Sequence, residues 1–287
     1  MEKKVRVTVL MDDLAGSLRN IRAHHGLSFL FEIDYPGKSN TFKMLFDMGT
    51  NGNDLMNNMG ILNIDPSQID VAMITHKHYD HSGGLPELLK ARKKPLTVFV
   101  GEDFFVPSFL FDPWKQAGVE YTKKELEDYG ARFVEVTAPI EITPDCYVSG
   151  KIIGKEEKFE NVQGFTRIKN GVPDEDHQQE ELSFYIKERD RVHVFSGCSH
   201  SGIVNICNDA LKKTESEKVG IIMGGFHFVN STMNEIKEEI AELKKNEPIA
   251  VIAGHCTGFT GLSLLFYEFG KRFSRYACSD RFNLIND

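Results

Sequence analysis

A cluster of histidines between a predicted strand and a predicted helix constrains this chain more than any other segment. Three histidines and one aspartate fall within six positions, at His76, His78, Asp80 and His81. The preceding residues 70–74 form a short, largely apolar run with β-branched side chains at Val71 and Ile74, which is typical of a buried strand. Because side chains alternate along an extended segment, we expect His76 and His78 on the same side of the chain.

The residues after the cluster predict the start of a helix. Ser82 and two glycines precede the apolar residues 85–89, and serine is a favoured cap at a helix N-terminus. Imidazole nitrogens and a carboxylate oxygen are ligands of zinc, iron and manganese. Four such side chains on one turn would lack partners without a cation. We therefore interpret the cluster as a metal site in preference to a histidine-rich surface loop.

Composition limits the class of protein. The chain has 287 residues, of which 41% are hydrophobic and 26% are charged, which is enough for a substantial core. The formal net charge of -8 disfavours nucleic-acid binding, and no apolar stretch of about 18 residues predicts a membrane span. The first residues show no signal-peptide pattern, and the five cysteines are scattered. We therefore expect free thiols and a cytoplasmic location.

The cluster resembles the signature of a known family. His-x-His-x-Asp-His after a buried strand is characteristic of the metallo-β-lactamase superfamily, and the resemblance extends over nearly the whole chain. It implies an α+β fold, a four-layered αβ/βα sandwich with metals at one edge of its two sheets. We therefore predict a single metallo-β-lactamase-like domain over residues 1–287. An inserted or elaborated region is expected at about residues 101–190, between the second and third metal motifs.

Two later segments resemble further metal motifs of this family. His200 follows a predicted strand at residues 191–195, and His255 follows another at residues 249–253. The resemblance implies two sets of metal ligands, namely His76, His78 and His200 for the first metal and Asp80, His81 and His255 for the second. One or two divalent ions are expected, with zinc as the first choice and iron or manganese as alternatives.

The chain departs from the family at its fourth motif. Many members carry an aspartate there that bridges two metals, whereas this sequence has Gly225. Either His227, two residues further on, substitutes for that aspartate, or no bridging carboxylate exists, and we expect the second metal to be bound more weakly than the first. Alternation places His227 opposite Phe226 and Phe228, so we expect it to face the cleft. His227 is a candidate general acid, and it forms with Asp80 the candidate catalytic pair.

Four more residues are candidates for supporting roles near the metals or the substrate. Asp47 ends a predicted strand and is expected either to orient a ligand histidine, His78 in particular, or to cap the next helix. His25 is expected at the rim of the cleft or as an exposed loop residue. Cys198 is interpreted as a thiol beside the metals or as a small residue in a tight turn. The helix start at Ser82 would favour an anionic group nearby.

The region at 101–190 is harder to interpret. Residues 104–114 are rich in aromatic side chains and contain two prolines, which predicts either a lid or apolar wall for the substrate, or a loop that covers the core. Residues 159–179 are polar and are predicted to form a loop. The turn residues Glu188–Asp190 predict a hairpin between residues 182–187 and 191–195.

The resemblance implies a hydrolase in which a metal-bound hydroxide attacks an ester-like or phosphoester bond of a small anionic substrate. The segments 224–227 and 254–258 resemble a subgroup that is named after 7,8-dihydropterin-6-methyl-4-(β-D-ribofuranosyl)aminobenzene 5′-phosphate synthase, which implies a pterin- or phosphate-containing substrate. Two alternatives are an iron-dependent oxidoreductase or thiol dioxygenase on the same scaffold, and a non-catalytic metal-binding protein. The oligomeric state is not predicted.

Overall fold

The computed structural model of the protein describes residues 3–110, 114–162 and 164–285. In chain order the described strands are β1 (Lys4–Met11), β2 (Ser28–Asp34), β3 (Phe42–Phe46), β4 (Val71–Met73), β5 (Leu96–Gly101), β6 (Ser108–Leu110), β7 (Lys115–Gln116), β8 (Ala131–Val136), β9 (Ile140–Thr143), β10 (Cys146–Val148), β11 (Phe165–Lys169), β12 (Val172–Glu175), β13 (Phe184–Glu188), β14 (Arg191–Phe195), β15 (Lys218–Gly224), β16 (Ala250–Ala253), β17 (Phe273–Arg275) and β18 (Arg281–Ile285).

The described helices are α1 (Gly52–Ile61), α2 (Tyr79–Ser82), α3 (Leu85–Arg92), α4 (Lys123–Asp128), α5 (Ile203–Thr214), α6 (Met233–Lys245) and α7 (Gly258–Phe269). Short 3₁₀ helices cover Pro66–Gln68, Glu157–Phe159, Phe228–Asn230, His255–Thr257 and Gly270–Arg272. The helix α6 spans 13 residues, and no helix in the described ranges has the length and apolar character needed to cross a membrane.

The two large sheets place several strand ends at one edge of the molecule. The first sheet has the order β18-β1-β2-β3-β4-β5-β8, and the second has the order β17-β16-β15-β14-β13-β10-β9. Strands β3, β4, β5 and β8 run parallel in the first sheet, as do β14 to β17 in the second. The loops after β3, β4, β14, β15 and β16 leave the carboxyl ends of these strands, where ligands commonly bind.

Alternation along β2 shows how the layers form. Phe29 and Phe31 join an apolar cluster between the two sheets, where the ring of Phe31 lies 4.8 Å from that of Phe195 in the second sheet. Leu30, between them, joins a second cluster with α1 and α3. A third cluster packs the second sheet against α5, α6 and α7. The resulting order of helices, sheet, sheet and helices is the α+β four-layered sandwich that the sequence predicted.

A third sheet of four strands, in the order β12-β11-β6-β7, lies within the region predicted to be elaborated. Strands β11 and β12 form an antiparallel hairpin, so the prediction of a loop at residues 159–179 was wrong. The pattern was misleading because this sheet is peripheral: every residue of β12 is exposed, and no apolar alternation marks the strand. The predicted hairpin over residues 182–195 is present as β13 and β14.

A buried ion cluster ties the histidine loop to the segment that precedes β13. Lys77 Nζ lies 3.0 Å from Asp176 Oδ2 and 3.3 Å from Glu180 Oε2, and all three side chains are buried. The amide of Leu182 also donates to the carbonyl of Thr75 at 2.7 Å. Because the two carboxylates have little access to water, Lys77 is the cation that compensates them and holds these segments together.

We expect Lys77→Met to lower the free energy of unfolding by about 3–5 kcal/mol, since it leaves two buried carboxylates without their cation. Urea denaturation followed by circular dichroism measures this loss. Lys124→Met is the matched control, because it removes an exposed ion pair with Asp128 and should change stability by no more than about 0.5 kcal/mol. Equal small losses in both variants would show that the buried cluster does not stabilise the fold.

Candidate metal centre

Loops after strands of both large sheets bring five histidines together. His76, His78 and His81 follow β4, His200 follows β14, and His255 follows β16. The rings of His76 and His200 are 4.8 Å apart, and those of His81 and His255 are 5.2 Å apart. All five side chains are buried. Residues that are far apart in the sequence therefore meet at the edge where the two sheets approach each other.

Asp80 stands among the side chains of the second predicted ligand set. Its Oδ2 lies 3.4 Å from His81 Nε2, 3.3 Å from His255 Nε2 and 3.4 Å from His25 Nε2. One ligand atom from each of Asp80, His81, His255 and Cys198 lies within 4.8 Å of the others. The structure therefore brings the three predicted residues together, with the half-exposed His25 at the rim.

The first predicted ligand set is also assembled, and it includes a residue that was not assigned to it. The ligand atoms of His76, His200 and Cys198 all lie within 4.8 Å of one another. His78 is adjacent, with its Nδ1 3.1 Å from His76 Nε2 and its ring 5.0 Å from that of His200. Cys198 thus belongs to two of the three groups of candidate ligand atoms in the described residues, and the third group consists of Asp13, His25 and His255.

Unpartnered nitrogen atoms show that the residues fit a metal ion. The Nε2 atoms of His78 and His200 are buried, and neither has a hydrogen-bond partner in the described residues. Buried polar atoms ordinarily have such partners. A divalent ion that accepts nitrogen, oxygen and sulfur ligands would satisfy these atoms together with Asp80.

Burial keeps the histidines of the first set in the form that binds metals. It lowers the pKa of His76 and of His78 well below the ordinary value, and it lowers the pKa of His200 to about 4. These rings are therefore neutral near pH 7, and each retains a lone pair for a metal.

In the second predicted ligand set, positive charge is needed to balance the buried carboxylates. Burial acts to lower the pKa of His81, but Asp80 and Asp47 outweigh it and raise the pKa to about 9. Burial also acts to lower the pKa of His255, and Cys256 and Asp13 are the largest opposing influences that raise it above its ordinary value. Protons on these rings balance the nearby carboxylates, and a metal ion would replace those protons.

A cavity of about 370 Å³ opens in front of the candidate ligands. His78, Asp80, His255 and Cys198 line this cavity, and so do the apolar side chains of Leu110, Ala117, Phe165 and Val229. Within the aromatic-rich segment 104–114, Phe104 is buried in the core and Leu110 lines the cavity. The segment therefore contributes both to the core and to the cavity wall. Phe111 and Pro113 lie outside the described residues.

The sequence profile of the metallo-β-lactamase superfamily matches residues 26–255 of this chain. The chain belongs to this superfamily. It is 32% identical over 277 residues to the 7,8-dihydropterin-6-methyl-4-(beta-D-ribofuranosyl)-aminobenzene-5'-phosphate synthase of Methanocaldococcus jannaschii, with 94% of each chain covered.

Solved structures of superfamily members share the fold. The crystal structure of Tm1679, a metal-dependent hydrolase of the β-lactamase superfamily, matches with a TM-score of 0.79 and 24% identity, covering 98% of this chain and 100% of that one. A diphosphatase from the PhnP family matches with a TM-score of 0.55 and 12% identity, covering 97% of this chain and 96% of that one.

Within this superfamily fold, Asp47 orients His81 rather than His78. Its Oδ2 accepts from His81 Nδ1 at 2.7 Å and from Thr75 Oγ1 at 2.8 Å, and its Oδ1 accepts from the Thr75 amide at 2.7 Å. The prediction that Asp47 would orient His78 was wrong, because α2 turns His81 back toward the end of β3. The alternative role as a helix cap is also excluded, since Asn51 caps α1.

Four supporting residues escaped the sequence analysis because their partners are distant in the chain. The carbonyl of Asn161 lies 2.7 Å from His200 Nδ1, and the carboxylate of Glu181 accepts from the His200 amide at 2.7 Å. Asp12 accepts from the His255 amide at 3.0 Å, and Asp13 Oδ1 lies 2.9 Å from His255 Nδ1. Of these four residues, only the two aspartates could have been recognised from the sequence, because they directly follow β1, just as Asp47 follows β3.

Ser82 does not cap the helix that follows the cluster. It ends the short helix α2, and its hydroxyl donates to the carbonyl of His78 at 3.0 Å. The N-cap of α3 is Gly84, which makes no side-chain cap bond. Ser82 is buried, and its hydrogen bond fixes the turn of the histidine loop.

His227 lies at the cavity, with its ring 4.4 Å from that of His200. Its neighbours Phe226 and Phe228 are buried in the third apolar cluster, so the histidine occupies the opposite side of the turn. Burial lowers the pKa of His227 well below its ordinary value. The ring is therefore neutral near pH 7, which is unfavourable for the predicted role as a general acid.

We expect Asp47→Asn to weaken metal binding by the second ligand set roughly 10–100-fold, because the amide removes the charge that orients and polarises His81. Competition with a colorimetric zinc chelator measures the affinity. Asp128→Asn, at an exposed position on α4, is the matched control and should bind zinc as the unchanged protein does. Unaltered zinc affinity in Asp47→Asn would contradict this role.

Proposed function

We propose that the protein is a metal-dependent hydrolase that cleaves an ester-like or phosphoester bond in a small anionic substrate. One observation carries this proposal: two groups of candidate metal ligands share Cys198, which lines a cavity of about 370 Å³ together with Asp80 and His255. A cavity of this size admits a small molecule. The name of the archaeal relative, which contains a pterin and a phosphate, supports a substrate with one or both of these groups.

We assign the metals to the two sets named from the sequence, with zinc as the first choice and iron or manganese as alternatives: His76, His78 and His200, and Asp80, His81 and His255. Divalent ions in such a site lower the pKa of bound water and polarise the oxygen of the scissile group. Burial acts to raise the pKa of Asp80, but His81 and His255 outweigh it and hold it well below the usual range. Asp80 is therefore ionised and able to accept a hydrogen bond from attacking water.

His227 is proposed to contact the substrate from the side of the cavity next to His200. Its Nδ1 is buried and has no hydrogen-bond partner in the described ranges. A neutral imidazole has one N–H to donate, so His227 can stabilise negative charge on a substrate oxygen without releasing a proton. This role replaces the general-acid role expected from the sequence.

The rest of the cavity wall supports a flat, anionic substrate. Phe165 offers a ring face for stacking beside His78, with the ring centroids 4.4 Å apart. Lys115 and His25 line the same cavity and are the candidate partners for a phosphate or carboxylate group. This arrangement favours a substrate that combines a ring system with a negative charge.

The name of the archaeal relative also favours a second candidate, a synthase reaction at the same site. In that case a second substrate molecule, rather than water, would be the nucleophile. A hydrolase would turn over a single substrate in water, whereas a synthase would require the second substrate as well. Product analysis with one substrate at a time therefore separates them.

The test of the hydrolase is metal analysis of the purified protein combined with a panel of carboxylic esters, phosphomonoesters and phosphodiesters. We expect at least one class to be hydrolysed, and we expect His78→Ala to lower metal content and rate together. His177→Ala is the matched control, because the side chain of His177 is partly exposed and lies outside the groups of candidate ligands. Full metal content with full activity in His78→Ala would contradict the ligand assignment.

We expect His227→Ala to keep its metal and to lose turnover on the order of 100-fold, as the loss of one donor to a developing negative charge typically does. Metal analysis and steady-state kinetics with the hydrolysed substrate measure the two effects. His227→Gln, which retains an N–H donor, should recover part of kcat. A kcat in His227→Ala equal to that of the unchanged protein would exclude the contact.

A further inference from the structure

Cys198 Sγ occupies a position common to two groups of candidate ligands. It lies within 4.8 Å of the ligand atoms of Asp80, His81 and His255, and within 4.8 Å of those of His76 and His200. The sulfur atom lies 3.1 Å from His81 Nε2. The side chain is 3% exposed, so the thiol is directed at ligand atoms and not at solvent.

The surrounding backbone holds this thiol in place. Gly197 precedes it on the turn after β14, and a Cβ at that position would overlap Thr75 Oγ1. The missing side chain allows the turn to lie directly against the start of the histidine loop. Cys198 is therefore positioned by close packing between the two sheets, and the packing leaves it among the ligands.

The position where the superfamily usually carries a bridging aspartate cannot hold a side chain in this protein. A Cβ at Gly225 would lie 2.6 Å from Cys256 Sγ and 2.7 Å from the carbonyl oxygen of Gly197. Both distances are too short for a real contact. Any ligand shared between two metals would therefore have to come from another element.

From these contacts we infer that the Cys198 thiolate is a ligand shared by the two metal ions, in place of the bridging carboxylate. The inference rests on the proposed function, because it requires metals in both sets. Metal binding replaces the thiol proton, which passes to solvent, and no oxidation takes place. A thiolate favours zinc, cobalt or ferrous iron over magnesium or calcium. A shared thiolate would couple the two metals without the bridging aspartate that this sequence lacks.

Cys256 is the competing thiol and has to be separated from Cys198 in any test. Its Sγ lies 3.7 Å from the carbonyl oxygen of Cys198, and its side chain is partly buried. It is absent from all three groups of candidate ligand atoms in the described part of the chain. Cys207, which is buried in the third apolar cluster, provides a thiol remote from the candidate ligands.

The test uses the full chain loaded with Co²⁺, whose bond to a thiolate gives a sulfur-to-cobalt charge-transfer band in the near ultraviolet. Metal analysis gives the number of bound ions, and circular dichroism verifies the fold. We expect two ions and the band in the unchanged protein, in Cys256→Ala and in Cys207→Ala. Cys198→Ala should lose the band and bind cobalt at least about 10-fold more weakly.

Cys198→Asp is the second variant, which restores a carboxylate at the shared position. We expect it to bind two ions without the charge-transfer band, and it keeps the test decisive if Cys198→Ala does not fold. Persistence of the band in either Cys198 variant would overturn the inference. Two bound ions without a band in the unchanged protein would overturn it as well, yet would leave the proposed function standing. Absence of bound metal would overturn both.

Discussion

The close approach of the two sheets at Thr75 and Gly197 is the constraint on which the site depends. Thr75 lies two residues after the end of β4, directly before the histidines, and its amide and hydroxyl both donate to Asp47. Gly197 lies against the hydroxyl of Thr75 because it has no side chain. This contact brings Asp47, His81 and Cys198 within one hydrogen-bonded chain, with 2.7 Å from Asp47 to His81 and 3.1 Å from His81 to Cys198.

Charge balance explains how ionisable side chains can be buried where the two sheets approach each other. Asp47 and Asp80 are buried beside His81, and the carboxylates raise the pKa of that ring to about 9 against the effect of burial. Without a metal, protonated imidazole is thus the counter-ion of the carboxylates. The same arrangement fits a divalent cation, because the metal can take the place of the protons while the acceptors stay where they are.

The strand-end histidines could be predicted because their signal is local. An apolar run followed by small residues and His200 or His255 identifies a strand end, and parallel strands bring such ends to one edge. The partners could not be predicted in the same way. Glu181 and Asn161 contact His200 from loops whose sequences show no hydrophobic periodicity. The exposed strand β12 could not be predicted either, because it has no apolar face.

The crowding at Gly225 and the position of Cys198 are the two observations from which a shared sulfur ligand is inferred. Cys256 fills the space beside Gly225, so a carboxylate there would collide with sulfur. Cys198 approaches the same ligands from β14, in the neighbouring parallel strand. Exchanging an oxygen ligand for sulfur shifts the preference of the site toward softer ions. A departure that looked like a missing ligand in the sequence is therefore better understood as a ligand supplied by the adjacent strand.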